Sequence, residues 1–170
     1  MNLIDTIKKS DKKSKALVEF LVRQIEKEKP TVHDFELALK MGSDAERGSC
    51  VEAMEFISQK KPEFVISFIP LIITTLSDKA PRVKWESARV IGNIAQKYPK
   101  QAEKAIQALF LNTKDKGTVV RWSVAFALGE ILKSTKNKTL LSKIEAIIKS
   151  EKSSGVKNVY LKAMKDFQQA

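Results

Sequence analysis

Apolar residues recur at helical spacing along most of the chain. From Phe64 to Leu76 they stand every three or four residues, and the same spacing returns from Val83 to Ile94. This is the period of an amphipathic helix, whereas a half-buried strand would alternate at every second residue. Pro62 and Pro99 precede such stretches, and proline commonly opens a helix. The pattern predicts pairs of helices joined by short turns, with one buried helix from Phe64 to Leu76.

The paired stretches are themselves repeated. Val83-Lys84-Trp85 returns 37 residues later as Val120-Arg121-Trp122, and the match continues without a gap on both sides. Its other members include Pro62 with Pro99, Asp78 with Asp115, Ala88 with Ala125, Gly92 with Gly129 and Ile94 with Ile131. Weaker copies lie one step before and one step after, as expected of the outer units of a stacked array. We predict a single domain over 1–170, with helix-pair repeats at 31–61, 62–98, 99–135 and 136–170 behind an N-terminal helical cap at 1–30.

Residues 62–132 resemble the HEAT-repeat family. The unit of that family has an apolar first helix with an internal proline, then Asp-x-x-Pro-x-Val-Arg, then an alanine-rich second helix containing Leu-Gly. The matching residues here are Pro70, the run from Asp78 to Lys84, and Ile91-Gly92, while the next unit has Gln107 in place of the proline. The resemblance implies an all-α fold, a right-handed α-α superhelix of the HEAT/armadillo type with about four helix pairs. Because such units serve many purposes, it leaves the function open.

The resemblance also implies a structural role for charged residues at the repeat turns. In HEAT-like proteins, the aspartate of the turn and the basic residue that starts the second helix bond between neighbouring units. The corresponding residues are Asp78 and Asp115 in the turns, and Lys84 and Arg121 at the helix starts. We expect these charged groups to fix the stacking register.

Two tryptophans lie beside the buried stripe of the second helices and are candidates for partner binding. Trp85 is followed one helical turn later by Arg89, and Trp122 by Phe126. Two interpretations stay open at this point. The indoles pack between units, or they form a stacking or cation–π platform for a peptide, a base or a backbone on the concave surface.

The net charge of +11 favours an acidic or polyanionic partner, and the excess is concentrated near the C-terminus. Residues 133–170 hold nine lysines against three acids. Among them, Lys157, Lys162 and Lys165 are predicted to line one helical face. They are candidates for contacts with phosphate groups or an acidic partner, although a solvated, solubilising face is the alternative.

DNA alkylation-repair glycosylases built from HEAT-like units are similar in kind. In that family, a tryptophan is followed four residues later by the catalytic aspartate. Arg89 and Phe126 occupy the matching positions here, so the carboxylate that the chemistry would use is missing. The sequence therefore predicts no catalytic residue, and nucleic-acid binding without chemistry is the alternative to protein binding.

The remaining residues with catalytic or metal-binding potential form no recognisable motif. Cys50, the single cysteine, is predicted to be a small buried hydrophobe, and His33 a residue at a helix end or on the surface. No cofactor, metal site, small-molecule substrate or membrane association is predicted. The charged N-terminus leaves no apolar run for a signal peptide, which favours a cytoplasmic protein. We predict a non-catalytic scaffold that binds a protein or peptide.

Overall fold

The computed structural model describes residues 1–169, which form helices and turns and no strand. The first part of the chain contains α1 (Leu3–Lys8), α2 (Ser14–Glu28), α3 (Val32–Met41), α4 (Asp44–Lys60), α5 (Pro62–Val65), α6 (Ile69–Thr75) and α7 (Pro81–Ala95). The rest contains α8 (Pro99–Glu103), α9 (Ile106–Phe110), α10 (Thr118–Thr135), α11 (Lys138–Ser150) and α12 (Ser154–Gln169). The prediction of an all-α fold is confirmed.

The chain divides into two compact units, Met1–Ser87 and Ala88–Ala170, and the boundary falls within α7. In the first unit α1 packs on α3 and α2 packs on α4, while in the second α10 packs on α12. The longer helices α4, α7 and α10 end at Lys60, Ala95 and Thr135. These ends lie next to the predicted repeat boundaries, but the prediction of one domain with four repeats stays a prediction.

Side-chain caps define where several helices begin. Thr31 accepts a hydrogen bond from the Asp34 amide, and the Asp34 carboxylate accepts one from the Thr31 amide. Ser43 and Glu46 form the same reciprocal box at the start of α4. The bonds from Thr31 lower the pKa of Asp34, because they stabilise its ionised form. Thr31 and Asp34 therefore form a capping box, which satisfies amide groups that have no partner within the helix.

The predicted single helix from Phe64 to Leu76 is wrong. The segment is instead α5, a 3₁₀ turn over Ile66–Phe68, and α6. In the turn the Ile69 amide donates to the Ile66 carbonyl, three residues back. Pro70 follows and has no amide hydrogen to continue the ladder. The next unit is interrupted in the same place, between α8 and α9, although Gln107 stands where the proline would be.

The apolar positions of the repeat form the core. Val83, Val90, Ile91 and Ile94 of α7 are completely buried, as the helical period predicts. Cys50 in α4 is also fully buried, and burial raises the pKa of its thiol to about 12. The thiol is therefore protonated at neutral pH and packs as a small apolar group, as predicted.

Candidate partner-binding site

An apolar stripe runs along the exposed face of α10. Val119, Trp122 and Phe126 are spaced by three and four residues and so share one side of the helix. The rings of Trp122 and Phe126 are stacked, with centroids 6.2 Å apart and planes 13° from parallel. Trp122 nevertheless remains 43% exposed and Val119 54% exposed. A large aromatic group is thus held in a fixed orientation at the surface.

Phe126 owes its position to a glycine on the neighbouring helix. Its ring packs directly over Gly92 of α7, where an added Cβ would overlap the ring atom Cε1. A glycine again faces a side chain of the next second helix one repeat later, since a Cβ on Gly129 would lie 2.8 Å from the Cβ of Ala163. The Ile-Gly and Leu-Gly pairs therefore let adjacent second helices approach closely. Phe126 is a packing residue that supports the more exposed Trp122.

A shallow groove of about 220 Å³ lies beside this stripe, between α10 and α12. Its lining combines apolar and charged side chains from the two helices: Trp122, Phe126, Gly129, Glu130, Lys133, Val159, Lys162, Ala163 and Asp166. On its rim Lys133 forms an ion pair with Glu130, and its Nζ lies 3.9 Å from Asp166 Oδ2. The groove can therefore accept an apolar side chain on its floor and polar groups at its edge.

Of the three predicted lysines, one lines this groove. Lys162 is exposed and contributes to the lining. Lys157 is half-buried and Lys165 is exposed, and neither belongs to it. Lys162 comes five positions after Lys157, roughly 140° around a helix of 3.6 residues per turn, and Lys165 lies between them in angle, roughly 80° from Lys157. That the three line one helical face and contact phosphates or an acidic partner stays a prediction.

Trp85, the repeat counterpart of Trp122, is engaged within its own unit. Its ring is half-buried, and Nε1 donates a hydrogen bond to Glu86 Oε1 over 2.7 Å. Arg89, one turn later, is half-buried in the second unit. Of the four predicted partner-binding residues, Trp122 and Phe126 are brought into direct contact.

Bidentate ion pairs link successive repeats. Arg47 donates from Nε and Nη2 to Asp78 over 3.1 and 2.8 Å, and Arg121 donates likewise to Glu151 over 3.0 and 3.2 Å. Burial alone would raise the pKa of Asp78 and of Glu151. Hydrogen bonds from the arginines and from backbone amides outweigh this effect and lower both values. Each pair joins the start of one second helix to a later turn.

The other predicted members of this set lie at the same repeat positions. Asp115 accepts a bond from the Gly117 amide at its side chain and one from Arg121 at its backbone carbonyl, both over 2.8 Å. Lys84 lies half-buried in the first turn of α7. The alignment of Arg47 with Lys84 and of Glu151 with Asp115 was the signal that could have named these partners in advance. Their role in fixing the register stays a prediction.

No cluster of three His, Cys, Asp or Glu side chains suited to a metal ion occurs within residues 1–169. His33 is exposed in the first turn of α3, as predicted, and interacts with Glu36 over 3.7 Å. None of the helices formed by these residues combines the length and the apolar character needed to cross a membrane.

Comparison with known proteins identifies the architecture. No family model and no curated protein matches the sequence. Solved structures do match: a crystal structure of an engineered protein superposes with a TM-score of 0.72 at 15% identity, over 99% of this chain and 80% of its own. A computationally designed armadillo repeat protein for modular peptide recognition gives 0.70 at 19% identity, over 97% and 80%. The fold is a helical-repeat solenoid of the HEAT/armadillo type.

A further solenoid of this type was solved with a ligand. The designed armadillo repeat protein in complex with the peptide (KR)4 has a TM-score of 0.71 and 17% identity, over 97% of this chain and 80% of that one. At such identities the likeness establishes the fold alone. The α-α superhelix fold that the HEAT resemblance implies is confirmed.

Proposed function

We propose that this solenoid is a non-catalytic scaffold that binds a protein or peptide on its second-helix surface. The proposed contact residues are Trp85, Arg89, Trp122 and Phe126, with Trp122 as the principal one. Two designed solenoids of the same fold support this class of ligand, since one was made for peptide recognition and another holds a peptide.

The proposal rests mainly on the exposure of Trp122 to solvent. A tryptophan with 43% of its surface in water leaves much apolar area unburied, and tryptophan is enriched among residues that dominate binding energies. Its stacking on Phe126, which itself rests on Gly92, restricts the ring before any partner arrives. Such restriction lowers the entropy cost of binding.

The chemistry of the neighbouring groove supports a protein ligand. An apolar floor that includes Val159 and Ala163 is edged by charges of both signs, Lys133 and Lys162 against Glu130 and Asp166. Protein interfaces commonly combine an apolar centre with a polar rim of this kind. The two lysines and two carboxylates balance, so the groove offers a purely polyanionic ligand no net attraction.

Nucleic acid is the second candidate, favoured by two observations. Residues 133–170 carry nine lysines against three acids, and a stacked aromatic pair is a surface on which bases can stack. This alternative predicts binding that weakens steeply with salt, because neutralised phosphates release counterions.

A comparison of selected peptides with nucleic acids tests both candidates. Peptides selected from a random displayed library against the whole chain would carry a fluorescent label and be titrated by anisotropy. Labelled duplex and single-stranded DNA and RNA would be titrated by anisotropy at two salt concentrations. We expect saturable peptide binding that Trp122→Ala weakens about tenfold or more, which corresponds to about 1.4 kcal/mol.

Leu111→Ala provides the matched control, because Leu111 is 75% exposed and directly follows α9 as its C-cap. Peptide binding that is equally tight in Trp122→Ala and in the wild type would contradict the proposed site. Salt-sensitive nucleic-acid binding that is lost in Trp85→Ala/Trp122→Ala would replace it with the second candidate.

A further inference from the structure

A second surface groove lies in the first unit, between α2 and α4. It encloses about 390 Å³, within the range of roughly 300–1,000 Å³ that is usual for ligand sites. Its floor is apolar and is formed by Val18, Val22, Phe56 and Ile57. Val18 and Ile57 are 2% exposed and belong to the core, whereas Phe56 is 45% exposed. Phe56 is thus a large apolar group that the fold leaves uncovered.

Some charged side chains around this groove form close ion pairs, and others do not. Glu26 accepts from Lys61 over 2.7 Å, and Glu52 is paired with Arg82. Arg82 and Lys61 thereby neutralise two carboxylates of the rim. Lys15 and the third carboxylate, Glu19, are only loosely paired, at 3.9 Å.

Two cations of the rim remain available. Arg23 and Lys60 are both exposed and line the groove, one from each helix. Within residues 1–169, neither side chain forms a hydrogen bond or ion pair with another residue. The open apolar floor therefore has cationic groups on both walls whose charge is not balanced locally.

We propose that the α2–α4 groove binds an amphipathic helical segment of a partner protein, with apolar side chains on Phe56 and carboxylates facing Arg23 and Lys60. A helix laid between two helices places residues i, i+3 or i+4, and i+7 along such a floor. The acidic character follows from charge complementarity, and the net charge of +11 adds long-range attraction. This site is separate from the Trp122 groove and does not depend on it.

Two synthetic peptides test the proposal with the whole chain. Both are of about four helical turns with leucine at i, i+3 and i+7. One carries glutamate at the flanking positions and the other carries lysine there. Shifts of backbone amides in two-dimensional ¹H–¹⁵N spectra report where each peptide binds. We expect the acidic peptide to shift α2 and α4 amides near Val18, Val22 and Phe56 saturably, and the basic one to bind about tenfold more weakly or worse.

Substitutions then separate the apolar and the charged contributions. Phe56→Ala should weaken the acidic peptide about tenfold, and Arg23→Glu/Lys60→Glu should abolish the preference for it. Met41→Ala and Lys40→Glu are matched controls, because Met41 is 56% exposed and Lys40 is exposed, both on α3. Circular dichroism checks that each variant remains helical.

Three results would overturn the proposal. They are the absence of saturable shifts in α2 and α4 at millimolar acidic peptide, equal binding of the basic peptide, and shifts confined to α10 and α12. The last result would support the Trp122 site alone, and shifts unchanged by Trp122→Ala would support the α2–α4 groove alone. Failure of one site is therefore distinguishable from failure of the other.

Discussion

Trp85 and Trp122 follow the same Val-basic pair, yet single neighbouring side chains give them different roles. Trp85 precedes Glu86, which is 4% exposed and accepts the indole hydrogen bond. Trp122 precedes Ser123, and its ring stacks on Phe126 instead. The polar edge of Trp85 is therefore satisfied within the protein, and Trp122 is the better placed of the two to contact a partner.

Glycines determine how closely the second helices approach. We expect Gly129→Ala to destabilise the protein, because the new methyl group would lie 2.8 Å from Ala163 Cβ, which has no rotamer with which to move away. Overpacking costs about 1–3 kcal/mol, and the gain in helix propensity offsets about 1 kcal/mol of it. Urea unfolding should show a net loss of up to about 2 kcal/mol.

Gly155→Ala is the matched control on α12. A Cβ there would meet nothing nearer than Ser153 Oγ at 3.7 Å. This change should be neutral or stabilise the protein by up to about 1 kcal/mol. Equal effects of the two substitutions would mean that close helix approach at Gly129 does not limit stability.

The ion pair between Arg47 and Asp78 makes stability depend on pH. The folded-state pKa of Asp78 is lowered, so its contribution is present above the unfolded pKa and is lost as pH falls through the folded value. Stability should therefore decline as pH drops below about 4, the usual carboxyl range. Asp78→Asn should cost about 1–3 kcal/mol near neutral pH and should reduce the acid-side slope of stability against pH.

Urea midpoints measured from pH 7 to pH 3 check this expectation. Asp11→Asn controls for the loss of one negative charge, since the Asp11 side chain is 93% exposed. An acid-side slope that is unchanged in Asp78→Asn would show that the pair contributes nothing to the pH dependence.

At the scale of elements, the first helix of each central repeat is broken into two short helices, α5 with α6 and α8 with α9. Apolar spacing from Phe64 to Leu76 predicts one helix, because a 3₁₀ turn keeps nearly the same face buried and so leaves no trace in the pattern. Pro70 alone would account for the break, but Gln107 stands at the corresponding place and α8 still ends at Glu103. A proline is therefore not required for the interruption.

Proline and glutamine should therefore be interchangeable at the break between α8 and α9. Gln107 is the second residue of α9, in the first turn, where the amide of a helix has no required partner. Gln107→Pro should leave helicity unchanged and alter stability by no more than about 1 kcal/mol, with a gain if the unfolded chain is stiffened. Circular dichroism and urea unfolding measure both effects.

Val124→Pro is the contrasting substitution, in the interior of α10. It removes a helical hydrogen bond and should cost about 3 kcal/mol or more. Severe destabilisation by Gln107→Pro would instead show that the first helices need a donor at that position.

At the scale of the whole molecule, the sequence predicts the repeat and its core, but it predicts the candidate surface grooves only in part. A 37-residue period located the helix pairs, since each unit must bury the same face. The exposed Phe56 was missed because it lies in a degenerate copy, at the position that Asn93 occupies one repeat later. Surface grooves depend on which side chains of neighbouring helices leave a gap, and no single-helix pattern contains that information.

Net charge is a property of the whole chain, and it should make the stability of this protein depend on salt. With +11 charges, mutual repulsion opposes the compact state. Raising the salt concentration from about 10 mM to about 150 mM shortens the screening length from roughly 30 to roughly 8 Å. Repulsion between distant lysines should weaken, while the part-buried arginine pairs should be screened less. We therefore expect the urea midpoint to rise with salt.

The triple variant Lys138→Gln/Lys149→Gln/Lys152→Gln isolates this effect, because all three side chains are exposed in the lysine-rich C-terminal segment. Removing three positive charges should raise the midpoint at low salt and shrink its salt dependence. A midpoint that falls with salt in the wild type would mean that attraction between surface charges outweighs repulsion. In that case the lysine excess would be balanced locally, and its long-range field would no longer support the choice of an acidic partner for the α2–α4 groove.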